Sequence, residues 1–122
     1  MAPWRDTLLA LREGALVYRH LDAAQLCKHA LGLATQAGRD GLEPALIYLH
    51  AEPAAWQDGR IVPAEAIAAH REELADFTAR VASGALRFAP LTWRDLLARW
   101  QSAPDPALAG HAGRVQARFS PL

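Results

Sequence analysis

The chain has 122 residues, enough for one domain that removes roughly two-thirds of its unfolded surface from water. Hydrophobic residues make up 52% and charged residues 21%, a globular balance that excludes a disordered chain. Thirteen basic side chains offset thirteen acidic ones, so no net positive field draws the chain to phosphates, and unaided nucleic-acid binding is expected to be weak.

In chain order, Trp4, Leu8 and Leu11 share one face of residues 4–13, with Gly14 as a C-terminal stop, which predicts a short amphipathic helix. Residues 15–20 are long enough only for a link or an edge strand. Asp22 is a suitable N-cap for a second helix running to Ala37 and closed by Gly38. Its apolar side carries Leu26, Cys27, Ala30, Leu33, Ala34 and Ala37. Gln25, His29, Gly32 and Gln36 recur on another side, beside Lys28, the single lysine of the chain. Glycine inside a helix costs about 1 kcal/mol relative to alanine, so Gly32 marks either close approach of a neighbour or drift.

Pro44 to Leu49 is a continuous apolar run, the pattern of a central strand covered on both faces. A loop follows from Ala51 to Arg60, with Asp58-Gly59 turn chemistry, and loops of this length tend to be functional or mobile. Pro63 opens a helix over 64–82 with Ile67, His70, Leu74, Phe77 and Val81 on its apolar stripe and an Asp76–Arg80 pair opposite. Residues 85–89 predict a second, less apolar strand nearer a sheet edge, and the helical crossover between the strands implies a parallel unit. Thr92 and Asp95 resemble a capping box before a helix through Trp100, which Pro104 to Pro106 breaks; a last helical spacing covers 107–119. The expected fold class is α/β, a small, mostly parallel sheet flanked by helices in one domain, 1–122.

The unpartnered Cys27, on an apolar helix side, reads as a buried structural thiol rather than part of a disulfide or metal site. Twelve arginines, one lysine and 27 alanines fit the coding bias of a GC-rich bacterial genome. The N-terminus lacks a cationic start with an apolar run, and no stretch is apolar enough for a membrane span, so a cytoplasmic protein is expected. Gly-rich phosphate loops and nucleophile elbows are absent from the sequence.

The step Gln25-x-x-x-His29 on a helix that leads into an apolar strand resembles the later part of the PD-(D/E)XK nuclease fold, in which a Gln-x-x-x-Tyr helix follows the catalytic strand. The element order from Asp22 to Gln101 is similar to that fold over about two-thirds of the chain. The resemblance implies a truncated restriction-endonuclease-like core and an accessory role for Gln25 and His29. The family's metal-binding Asp and Glu-x-Lys are missing. Only 21 residues precede Asp22, and their acids, Asp6 and Glu13, are not followed by the lysine the motif requires.

Candidate catalytic residues are His50 and Glu52, at the carboxyl end of the first strand, with Asp58 folding over from the loop. They are the nearest approach to the converging carboxylates and histidines that a hydrolytic metal site needs, and Mg or Mn would be required only if the chain were a nuclease. His70 reads as a hydrogen-bonded core imidazole. Trp56, with Arg60 nearby, is a candidate partner or ligand contact, the alternative being a lid over the sheet edge. Trp93 and Trp100, seven apart, are expected to pack as core. Without the meander, a strand would lack its sheet neighbours, and open edges are normally covered by another chain. The expected function is therefore non-catalytic: self-association as a homo-oligomer, or docking on a protein partner, with the Trp4 helix and the alanine-rich helices providing surface. A metal-dependent nuclease or phosphodiesterase with an incomplete or subunit-shared site is the alternative.

Overall fold

In the computed structural model, which describes residues 1–122, the elements are α1 (Ala2–Arg12), α2 (Ala23–Asp40), β1 (Ala45–His50), α3 (Ala64–Val81), β2 (Arg87–Thr92), α4 (Trp93–Gln101) and α5 (Pro106–Phe119). The two strands form a small parallel sheet, so the molecule is α/β as its helix and strand pattern predicts. No helix is long and apolar enough to cross a membrane.

The helix starts follow local chemistry. The carboxylate of Asp22 accepts from the Gln25 N–H at 3.1 Å, the Thr92 hydroxyl accepts from the Asp95 N–H at 3.1 Å, and Asp105 caps α5 ahead of Pro106. Helix α2 ends later than its first glycine suggests. Gly38 continues the helix, and the chain turns left-handed only at Gly41, with φ of 66°, where the Gly41 and Leu42 N–H groups both donate to the Ala37 carbonyl. Gly32 faces open space, so close approach of a neighbour does not explain it.

The strand β1 departs from its predicted setting. It is one of only two strands, and its accessibility alternates at its start, with Ile47 63% exposed and Leu46 and Tyr48 packed against the core. The apolar run therefore covers one buried face and one open face. The Arg87 N–H donates to the Pro44 carbonyl at 3.3 Å. A parallel ladder that begins on this rung turns the N–H and C=O groups of Ala45, Ile47 and Leu49 away from β2. On β2 the outward set is Phe88, Pro90 and Thr92, and Pro90 has no N–H to offer, as suits a strand at a sheet edge. The second strand also starts two residues later and ends three later than its apolar run implies, with Leu86 drawn into the core, 1% exposed, ahead of the ladder.

The chain divides into two compact units, Met1–Tyr48 with Ala68–Ala89, and Leu49–Ile67 with Pro90–Leu122. The first holds a dense core of Trp4, Cys27, Phe77, Val81 and Leu86. Its rings pack edge to face: Trp4 on Phe77 at 5.7 Å, Phe77 on Phe88 at 5.3 Å and Tyr18 on Phe77 at 6.3 Å. Trp4 is fully buried, so the α1 face expected as an association surface belongs to this core. The indole is pressed against Gly84, where a Cβ would come within 2.8 Å of Trp4 Nε1. That nitrogen has no hydrogen-bond partner, a cost that the aromatic packing offsets.

In the second unit, α4 and α5 are neighbours, and Leu97 on one and Ala112 on the other are buried. Trp93 and Trp100 are half-buried and line a hollow between these helices instead of packing as core.

Candidate functional site

Of the acids and histidines singled out at the end of β1, the fold keeps His50 and Glu52 together and turns Asp58 away. His50 ends β1, and Glu52 follows two residues later. The His50 Nε2 stands 3.6 Å from Glu52 Oε1, with each side chain only 10% exposed. Asp58 does not join them. The 51–60 loop folds on itself: Ala55 bridges to Ile61, the Trp56 N–H donates to the Arg60 carbonyl at 2.8 Å, and the Gly59 N–H donates back to Trp56 at 3.0 Å. In this turn the Asp58 carboxylate accepts from the Arg60 side chain at 2.7 Å, both groups lying in solvent at 53% and 77% exposure. Arg60 is thus spoken for as a turn clasp, whereas Trp56 remains 51% exposed on the hairpin. Across the whole chain no three His, Cys, Asp or Glu side chains are grouped so as to hold a metal ion.

Gln25 and His29 meet at 3.2 Å on the exposed side of α2, with Lys28 exposed between them. They form a solvated polar face. His70 is bonded to the Tyr48 hydroxyl at 3.0 Å, and burial together with the charge of Asp22 pushes the Tyr48 phenol up from its ordinary value. The Cys27 thiol is buried and its pKa is pushed up to about 11 by desolvation, so the thiolate needed for nucleophilic chemistry is scarce at neutral pH.

Two arrangements escaped sequence reasoning. Glu73, on α3, reaches the bend before α2 and accepts from the backbone N–H groups of Arg19, His20 and Leu21 at 2.8 to 2.9 Å. Burial alone would raise its pKa, but these three donors hold the carboxyl below its usual value. One helical turn along, Asp76 accepts from the Tyr18 hydroxyl and from Arg80 at 2.7 Å, the latter being the surface pair read from the sequence. Its carboxyl is likewise held low, by Arg80 first and Tyr18 second, while burial and the bond to Asp76 push the Tyr18 phenol well up. Because residues 19–21 and Glu73 are 52 to 54 positions apart, no local signal links them.

The other arrangement is the hollow of about 410 Å³ between α4 and α5, lined by Trp93, Trp100, His111, Val115, Phe119 and Leu122. The Trp100 and His111 rings face each other at 6.1 Å across one end. The seven-residue spacing of the tryptophans and the four-residue spacing of His111, Val115 and Phe119 are both legible as helix faces. That the faces fail to close on each other is not. No protein-family model, no curated protein and no solved structure matches the chain.

Proposed function

We propose that this chain acts without chemistry of its own, by self-association through the outer edge of β1, and that its nuclease-like element order is ancestry alone. The observation that carries this reading is the undefended edge. Proteins usually blunt sheet edges with charge, proline or a covering element. The outer edge of β2 has Pro90, with Arg87 exposed beside it, whereas residues 45–49 of β1 are Ala-Leu-Ile-Tyr-Leu, with neither charge nor proline and with Ile47 in solvent.

A second copy fits this edge. Antiparallel pairing about a two-fold axis at Ile47 sets Ala45 opposite Leu49, and each facing pair exchanges both backbone hydrogen bonds. The two Ile47 side chains then meet on the same face, about 4.5–5.5 Å apart at Cβ, and no like charges oppose each other. The product is a continuous four-stranded sheet with β2 and its proline at both outer edges.

Light scattering over a dilution series tests this. The wild type is expected to move from the 13.3 kDa of one chain towards twice that mass as concentration rises, and Ile47→Lys to stay monomeric. Ile47→Pro gives the same loss by a different route, removing an outward N–H while leaving the β1–β2 ladder whole. A wild type that is monomeric throughout, or a dimer indifferent to both substitutions, overturns the reading. So does magnesium- or manganese-dependent DNA cleavage that Glu52→Ala abolishes.

A further inference from the structure

The hollow in the second unit is independent of the β1 edge. Its two walls are helix faces that would ordinarily close on each other: Trp93 and Trp100 on α4, and His111, Val115 and Phe119 on α5. Instead they leave about 410 Å³, within the roughly 300–1,000 Å³ range of small-molecule sites. The hollow opens to solvent, so its apolar walls stay in contact with water that closed helix faces would exclude. That exposure falls on large aromatic side chains, with Phe119 50% exposed.

Three polar ties lie around this space, one of which joins α4 directly to α5. Gln101 Nε2 donates to Gln116 Oε1 at 2.6 Å, Gln57 Nε2 donates to the Arg118 carbonyl at 3.0 Å, and Arg94 donates to the Leu122 carbonyl at 3.3 Å. Sliding α5 inward to close the hollow would break them. The space stands open without a ligand, which lowers the ordering cost of binding.

The lining selects its occupant. No Asp, Glu, Lys or Arg is among the lining residues, and the guanidiniums of Arg118 and Arg94 are engaged on the Phe119 ring at 5.7 Å and on the Leu122 carbonyl, so a charged ligand would lose its hydration without a free counter-charge. Three aromatic side chains, Trp93, Trp100 and Phe119, line the hollow, and stacked or edge-to-face ring contacts make a flat ring system a matching occupant. The His111 ring at one end supplies a polar atom that can bond a hydroxyl or carbonyl on the rim of such a ring. We infer that the α4–α5 hollow is a binding site for an uncharged, fused-ring aromatic compound, on the order of a dozen non-hydrogen atoms in size.

The test is a titration of the full chain with 2-naphthol, followed by the indole N–H resonances of its four tryptophans in proton–nitrogen correlation spectra. Saturable shifts of Trp93 and Trp100 are expected, with Trp4 and Trp56 unmoved. Val115→Trp, which fills the hollow, should weaken binding at least about tenfold while keeping a dispersed spectrum. If that variant fails to fold, Phe119→Ala, which removes an exposed part of the wall, should also weaken binding. No saturable shift up to the solubility limit, equal shifts at all four indoles, or unchanged affinity in a folded Val115→Trp variant or in Phe119→Ala overturns the proposal. Shifts of Trp93 and Trp100 on simple dilution, without naphthol, would also overturn it by showing that the hollow receives another protein chain.

Discussion

The two compact units carry similar aromatic equipment and use it in opposite ways. In the first, Trp4, Phe77 and Phe88 meet edge to face at 5.3 to 5.7 Å, and Trp4 and Phe77 are wholly out of solvent. In the second, Trp93, Trp100 and Phe119 stand around a hollow, and the buried residues of the two helices are Leu97 and Ala112 alone. An aromatic ring stabilises a fold only to the extent that neighbours close around it. The first unit therefore concentrates stability, and the second retains apolar surface that a ligand can bury.

The strongest way to break this comparison is truncation in each unit. Phe77→Ala should cost about 3–5 kcal/mol in chemical denaturation, and Phe119→Ala less than about 1 kcal/mol, because only Phe77 leaves a closed cavity behind. Equal costs would mean that the hollow is as tightly packed as the core. Next in size is Gly84→Ala. Its Cβ would approach Trp4 Nε1 to 2.8 Å and the Val81 carbonyl to 3.1 Å, so a loss of about 1–3 kcal/mol is expected by thermal unfolding. An unchanged melting temperature would show that the Trp4 indole can move aside and that the core is looser than its geometry implies.

Last comes the Glu73 clasp. Glu73→Gln keeps the shape but leaves one acceptor oxygen where the three backbone N–H groups use two, so at least one bond is lost, a cost of about 1–3 kcal/mol near neutral pH. Both Glu73 and Asp76 have folded-state pKa values below their ordinary values of 4.5 and 3.8, so their contribution is complete above those values. It is lost as the pH falls through the lowered folded values, since the unfolded chain then binds more protons. Stability of the wild type should decline on acidification below about pH 4.5, and Glu73→Gln should flatten that decline. An acid limb identical in the two proteins would place the titrating groups elsewhere.

Much of the fold was legible because it is locally encoded. Asp22, Thr92 and Asp105 begin helices through caps that need only a few neighbouring residues, and the apolar stripe of α3 holds Leu74, Phe77 and Val81 inside as its spacing predicts. The strand setting was not legible, because an apolar run reports that a strand can be covered on both faces and says nothing of whether covering elements exist. The candidate site was less legible again. Asp58 stands close to Glu52 in sequence, yet a hairpin turns it onto Arg60, so proximity along the chain did not become convergence in space.

By itself, then, the sequence determined the α/β class, the starts of α2 and α4 at Asp22 and Thr92, the parallel crossover and the burial of Cys27, since each depends on periodicity or on bonds spanning a few residues. Tertiary structure decided that β1 has an open edge, that Glu73 clasps a bend more than 50 residues away, and that α4 and α5 leave a hollow between their aromatic faces. These depend on the relative placement of distant segments, which is set by packing summed over a whole unit and is encoded in no single stretch of the chain.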